Sequence, residues 1–208
     1  MTHYYLLLIL LTAVGSQSTF NNVTCGSVFK LVNNQLSVRL HSHSINYGSG
    51  SGQQSVTAVE DTIDANSLWQ VKESHDSEPC VRGEAVACDS IIRLFHLSTK
   101  TFLHSHHFQA PMTTAFEVSA LGPTSDSGDN WKVICSDGNH WTRDATVKFK
   151  HMSTEGFLSI SGKRFNRPIS GQYEVVGIAE TAGSTWKVKE GIYVKPTIAS
   201  DIYSHDEL

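Results

Sequence analysis

Two His-x-His pairs, His41-x-His43 and His104-x-His106, are the residues best suited to metal chemistry. Alternation along a strand places both rings of a pair on one face, and neutral imidazole is a common ligand for zinc or copper. A metal site needs a full set of ligands, and no Asp, Glu or Cys stands close in sequence to complete one. The expectation is therefore no metal and no cofactor. The pairs read instead as short polar rings that close a strand and hydrogen-bond the adjacent turn, or as ligand contacts repeated around a threefold axis. Enzyme chemistry is poorly supplied, with no nucleophile elbow, phosphate loop or HExxH. Asp126 and Asp129 fall in a Gly/Ser/Asp stretch that reads as a turn.

Trp141, with Arg143 and Asp144 close behind it, has the composition of a sugar platform, an aromatic ring beside a carboxylate. Packing in a core is the competing reading of the same ring. Four cysteines, Cys25, Cys80, Cys88 and Cys135, form an even set. No pair has the two-to-four-residue spacing that structural zinc favours, so they read as disulfides of an oxidising compartment. Three pairings are open on number alone.

The ends of the chain give the compartment. An apolar run from Leu6 to Val14 precedes Gly15-Ser16-Gln17-Ser18, the order of a secretory signal peptide cleaved after Gly15 or a few residues on. That run is too short for the roughly 20 residues of a membrane span. The last four residues, His205, Asp206, Glu207 and Leu208, spell a receptor-read signal for retention in the endoplasmic reticulum lumen. Asn22-Val23-Thr24 is an N-glycosylation acceptor, with Asn22 as the modified residue. A formal charge of −4 gives no sign of a nucleic-acid partner, which would call for a clustered basic face, and Lys163-Arg164 with Arg167 reads as a solvated loop; no nucleic acid is expected.

The elements that position these residues repeat three times. Val28-Phe29-Lys30-Leu31 leads to Leu40-His41-Ser42-His43; Ile91-Ile92-Arg93-Leu94 leads to Leu103-His104-Ser105-His106; Val147-Lys148-Phe149 leads to Leu158-Ser159-Ile160-Ser161. Each repeat then reaches a Trp-x-Val, at Trp69, Trp131 and Trp186. Apolar and polar residues alternate with the period of half-buried strands, between Gly, Ser, Asn and Pro turns. The expected fold is all-β: three four-stranded repeats closing into a β-trefoil with pseudo-threefold symmetry, the repeated Leu and Trp forming a shared core. In that frame Cys25 and Cys80 bracket the first repeat, and Cys88 and Cys135 the second. With first and last strands of a repeat side by side, the expected bridges are Cys25–Cys80 and Cys88–Cys135.

The run Tyr47-Gly48-Ser49-Gly50-Ser51-Gly52-Gln53-Gln54-Ser55-Val56-Thr57, the segment Leu103-His104-Ser105-His106-His107-Phe108 and Trp141-Thr142-Arg143-Asp144 closely resemble the stromal cell-derived factor 2 family. The resemblance runs from Val23 to about Lys195. It implies three MIR repeats forming one β-trefoil, a module also found in the luminal part of protein O-mannosyltransferases and in calcium-release channels. The implied organisation is a signal peptide over 1–18, a trefoil over 19–195 (repeats about 25–80, 88–140 and 141–195) and a retention tail over 196–208. The implied function is non-catalytic: a component of a chaperone complex that binds a luminal DnaJ-type co-chaperone, the ER heat-shock ATPase and misfolded polypeptides. That places it in quality control, ER-associated degradation and the unfolded-protein response. For polypeptide contact the candidates are the loops carrying Tyr47, Gln53 and Gln54 and carrying His104, His106, His107 and Phe108. The alternative is a lectin-like module that reads mannose or other glycans through Trp141, Arg143 and Asp144.

Overall fold

The computed structural model describes residues 20–180 and 183–196. The expected signal peptide over 1–18 and the retention residues His205, Asp206, Glu207 and Leu208 lie outside the described residues. Twelve strands form in chain order: β1 Val28–Asn33, β2 Arg39–Asn46, β3 Gln54–Val59, β4 Trp69–Glu73, β5 Ile91–His96, β6 Thr101–Gln109, β7 Phe116–Leu121, β8 Trp131–Cys135, β9 Val147–His151, β10 Phe157–Arg164, β11 Tyr173–Ile178 and β12 Trp186–Ile192. Single 3-10 turns at Ala65–Ser67 and Ser127–Asp129 precede β4 and β8.

All twelve strands belong to one antiparallel sheet that closes on itself. The expectation of an all-β chain holds, and that of a β-trefoil of three repeat units is corrected: the fold is a closed antiparallel β-barrel. The physical reason lies in where the long ladders run. Within a repeat, the first and last strands meet over only one or two residue pairs, as at Val28↔Gln70 and Phe29↔Trp69. Long ladders join the inner hairpin of each repeat (β2 to β3, β6 to β7, β10 to β11), and equally long ones cross repeat boundaries, joining β4 to β5, β8 to β9 and β12 to β1. Hydrogen bonding is thus continuous around the wall, and closure removes the exposed edges that an open sheet would present.

Alternation along the strands sends Phe29, Leu31, Leu40, Leu94, Leu103, Phe149 and Leu158 into the core with Trp69, Trp131 and Trp186, all fully buried. Burying one such indole contributes about 4–6 kcal/mol of transfer free energy as an upper bound. A buried indole N–H still needs an acceptor. Trp69 donates to the Leu40 carbonyl (2.9 Å), Trp131 to Leu103 (3.0 Å) and Trp186 to Leu158 (2.8 Å), so each repeat's last strand is tied to its second.

A second set of ties joins neighbouring repeats. Asn33, His96 and His151 end β1, β5 and β9 at equivalent positions. His96 Nε2 meets the Asn66 carbonyl (2.8 Å) and His151 Nε2 the Gly128 carbonyl (2.9 Å), while Asn33 Nδ2 donates to the Gly183 carbonyl (2.8 Å). Each also caps its own turn: the Thr99 and Thr154 N–H groups donate to His96 and His151 Nδ1, and those of Gln35 and Leu36 to Asn33 Oδ1. This bonding makes each imidazole a donor at Nε2 and an acceptor at Nδ1, the neutral tautomer.

The structure joins Cys25 to Cys80 and Cys88 to Cys135, with Cα atoms 6.1 and 5.6 Å apart. Each bridge encloses most of one repeat and restricts the unfolded chain by about 4 kcal/mol in the loop-entropy model.

Burial holds His96 and His151 down at about 4, from an ordinary 6.5. Folded-state pKa values below the unfolded ones mean that acid favours unfolding, so their contribution is complete above pH 6.5 and lost as pH falls toward 4. Each histidine should cost about 1–2 kcal/mol by pH 5. Thermal melts between pH 7.5 and 4.5 should show the midpoint falling, and the slope should shrink in His96→Gln. A flat midpoint across that range would show that the two rings carry no such coupling.

Candidate functional site

In the first repeat, β2 carries His41 and His43 to the mouth of the 3-10 turn. Asp64 accepts from Ser67 (2.6 Å) and lies 2.8 Å from His41 Nδ1. His41 Nε2 is 2.9 Å from His43 Nδ1, and His43 Nε2 is 3.1 Å from Ser55 Oγ. Burial pushes the Asp64 carboxyl up, but hydrogen bonds from Ser67 and His41 outweigh it and leave the group below its ordinary value. Burial first, and then the neighbouring His41, lowers His43 to about 4.

The second repeat builds the same arrangement from different acids. His104 Nδ1 lies 2.9 Å from Asp129 Oδ1 and 3.6 Å from Asp126 Oδ1; His106 Nε2 lies 3.0 Å from Glu117 Oε1. Folding thus brings carboxylates to both His-x-His pairs from 11 to 25 residues away in sequence. His104, Asp126 and Asp129 offer ligand atoms within 4.8 Å of one another. Those atoms already have partners: Asp129 Oδ2 accepts from Ser125 (2.6 Å) and the Asp126 N–H (3.1 Å), and Asp126 Oδ1 from the Gly128 N–H (2.7 Å). The cluster is a capped turn that holds a histidine. In the third repeat Ser159 stands where His41 and His104 stand, buried and with no hydrogen-bond partner for its hydroxyl among the described residues.

Where β3, β7 and β11 meet, Ser55, Glu117 and Glu174 occupy equivalent positions, all fully buried. Each hairpin loop is caught by the next repeat. Ser51 of the first loop donates through its hydroxyl and, at 3.3 Å, its N–H to Glu117; Gln53 accepts from Ser119 (2.5 Å). Met112 N–H and the Thr113 hydroxyl of the second loop donate to Glu174 (2.7 and 3.3 Å). Gln172 of the third accepts from Thr57 (2.5 Å). Gly50 sits here at φ 67°, and a Cβ there would lie 2.0 Å from a Glu117 carboxylate oxygen.

Most of the loop residues expected to contact polypeptide are committed to this scaffold. Tyr47 is buried, its hydroxyl donating to a backbone carbonyl of Val56 or Val118, and burial pushes its pKa far upward. Gln54 Nε2 reaches Ser42, Thr99 and Thr101. His104 is buried on Asp129, and His106 leans on Glu117. Only His107 and Phe108 face solvent, with the Phe108 ring packed edge-on to His106 at 4.8 Å and half exposed.

The proposed sugar platform does not form around Trp141. Its ring is fully buried, edge-on to Phe29 (5.3 Å) and Phe149 (5.4 Å). Arg143 instead lies over the Tyr193 ring at 4.8 Å and donates to the Phe20 carbonyl, and Asp144 accepts from Asn21 (2.9 Å). These residues border a cleft of about 480 Å³ with Lys187, Val188 and Lys189. Burial raises the Tyr193 hydroxyl to about 12. Asn22 sits beside this cleft, its backbone bridged to Thr142.

Sequence reasoning missed a groove of about 300 Å³ along the Cys25–Cys80 bridge. Val71, Ala85, Val86, Ala87, Ile91 and Ile92 form its apolar wall, and Lys72, Glu73 and Glu84 add charge. Ile91 and, just beyond the groove, Val81 are exposed. Ile91 at an outward-facing strand position was the available signal.

The fold is a closed barrel of repeated β units whose buried polar side chains hold its own loops. The MIR domain family matches residues 30–175. Stromal cell-derived factor 2-like protein 1 of Bos taurus is 51% identical over 189 residues, spanning 89% of this chain and 84% of that protein. The crystal structure of the SDF2-like protein from Arabidopsis thaliana superposes with a TM-score of 0.82 at 40% identity, covering 85% of this chain and 99% of that one. At 24% identity, the S. cerevisiae protein O-mannosyltransferase Pmt1-Pmt2 complex bound to the sugar donor shares the fold, with a TM-score of 0.74 over 90% of this chain and 28% of that one. The chain belongs to the stromal cell-derived factor 2 family of MIR-domain proteins.

Trp141→Ala should destabilise the barrel by about 3–5 kcal/mol, whereas Phe108→Ala should stay within about 0.5 kcal/mol. Urea denaturation measures both. Equal stabilities would remove Trp141 from the core.

Proposed function

We propose that this chain is a non-catalytic component of a chaperone complex in the endoplasmic reticulum lumen. It binds a luminal DnaJ-type co-chaperone and misfolded polypeptides, working beside the ER heat-shock ATPase in quality control, ER-associated degradation and the unfolded-protein response. Family membership supports the reading, as do the signal-like start and the His205–Leu208 end of the sequence. The observation that carries it is a division of labour among the side chains. His41, His104, Asp64, Asp129, Glu117 and Glu174 spend their hydrogen bonds on the chain's own turns and loops. The open apolar groove beside the Cys25–Cys80 bridge is left free to receive a side chain from an extended polypeptide. An exposed, partly apolar patch rimmed by charge is the surface such contacts use.

The retention tail keeps the module with its partners, and Asn22 is the glycosylation position, on the half-buried segment beside Thr142. A single domain spans about 19–195 in this reading. The glycan alternative loses its aromatic platform, because Trp141 is in the core.

Crosslinking and immunoprecipitation of the tagged protein from ER lumen should recover the DnaJ-type protein, the heat-shock ATPase and misfolded clients. Ile91→Glu, at the groove rim, should reduce client recovery about tenfold with an unchanged melting temperature. Recovery of no co-chaperone and no client would overturn the reading. Recovery of glycoproteins in a manner competed by free mannose would replace it with the glycan alternative.

A further inference from the structure

We infer that the cleft between β12 and the Trp141–Asp144 segment is a docking site for an extended acidic polypeptide, one that presents carboxylates at alternating positions. Arg143, Lys187 and Lys189 face this cleft with one carboxylate, Asp144, among them. That concentration of cations stands out in a chain whose formal charge is −4. Among the described residues none of the three cations forms an ion pair. The acids close by are already engaged: Glu190 with Arg39 (2.7 Å) and Asp144 with the Asn21 amide (2.9 Å). Lys30, the direct cross-strand partner of Lys189, turns its ammonium away to the Thr62 carbonyl at 2.7 Å. Like charges brought together on one sheet face destabilise it, so a ligand of opposite charge gains by relieving the repulsion as well as by direct attraction.

Geometry selects the form of the anion. Val188 is buried between Lys187 and Lys189, so the two lysines share the outward face of β12. Residues two apart on a strand are separated by roughly 6.5–7 Å. An extended peptide beside β12 repeats its own alternate side chains at that spacing, so its carboxylates at i and i+2 meet Lys187 and Lys189. A compact anion such as phosphate fits less well, since it needs donors converging on a point. Arg143, over the Tyr193 ring at 4.8 Å, adds a third positive charge at the end of the cleft. The cleft lies apart from the groove beside the Cys25–Cys80 bridge, with no lining residue in common, so this inference stands independently of the chaperone reading.

The test uses the purified chain without its signal, labelled with nitrogen-15. It is titrated with a short synthetic peptide alternating Asp and Ser, with its Asn-for-Asp counterpart, with inorganic phosphate and with a mannose oligosaccharide. The acidic peptide should shift the amides of Lys187 to Tyr193 and of Arg143. Its affinity should fall at least about tenfold in Lys187→Gln/Lys189→Gln, and again at high salt, as exposed charge pairing requires. Lys189 is exposed and Lys187 half-buried, and neither forms an ion pair among the described residues, so the melting temperature should hold; Lys189→Gln alone should give an intermediate loss and serves as a second variant. The inference is overturned by no shifts at millimolar peptide, by equal binding of the Asn counterpart, or by affinity unchanged in both variants. Phosphate or mannose binding in the cleft in preference to the peptide overturns it as well.

Discussion

Closing a β-barrel from repeated hairpins buries strand ends and loop mouths, where backbone N–H and carbonyl groups leave the ladder and must find other partners. The rest of this structure depends on how that requirement is met. Three indole N–H groups tie the last strand of each repeat to its second. Asn33, His96 and His151 tie the following repeat to the turn before those indoles. The His96 and His151 rings pack against Trp69 and Trp131 at 4.7 and 4.8 Å, so the apolar core and the polar ties are adjacent layers. Both ring nitrogens of each histidine are used, and a protonated ring would turn one acceptor into a second donor facing an N–H.

The same economy explains why the chemically suggestive residues do not make a reactive centre. Asp64, Asp129, Glu117 and Glu174 hold turns and loops by accepting several donors each. Each hairpin loop is fastened to the strand of the next repeat, which makes the loops a mutually braced cap. What remains for partners is the outer surface: an apolar groove at one junction and a cationic cleft at another. In the proposed function, rigidity of the barrel keeps those surfaces preformed, limiting the ordering cost of binding.

Much of the fold was legible in the sequence because its signals are local and repeated. Alternation gave the strands, and the spacings of 29, 28 and 28 residues from Leu40, Leu103 and Leu158 to Trp69, Trp131 and Trp186 reflect indole-to-carbonyl bonds. The cysteine pairing followed from the same frame. The manner of closure did not follow. Spacing says which strands belong to a repeat, whereas the register across repeat boundaries, β4 with β5 or β12 with β1, depends on contacts between residues far apart in the chain.

Sequence by itself determined the element types, the presence of three repeats, the disulfide set and the family, because each rests on residue type and short-range spacing. Tertiary structure alone decided where the candidate residues of the barrel and its loops are placed. It placed Trp141 in the core and turned Tyr47 and Gln54 inward. It also brought Asp129 to His104 across 25 residues and set Arg143, Lys187 and Lys189 around one cleft with a single carboxylate, Asp144, among its described lining residues. Burial and charge neighbourhood are properties of the packed chain, set by which distant segments meet, and no local spacing encodes them.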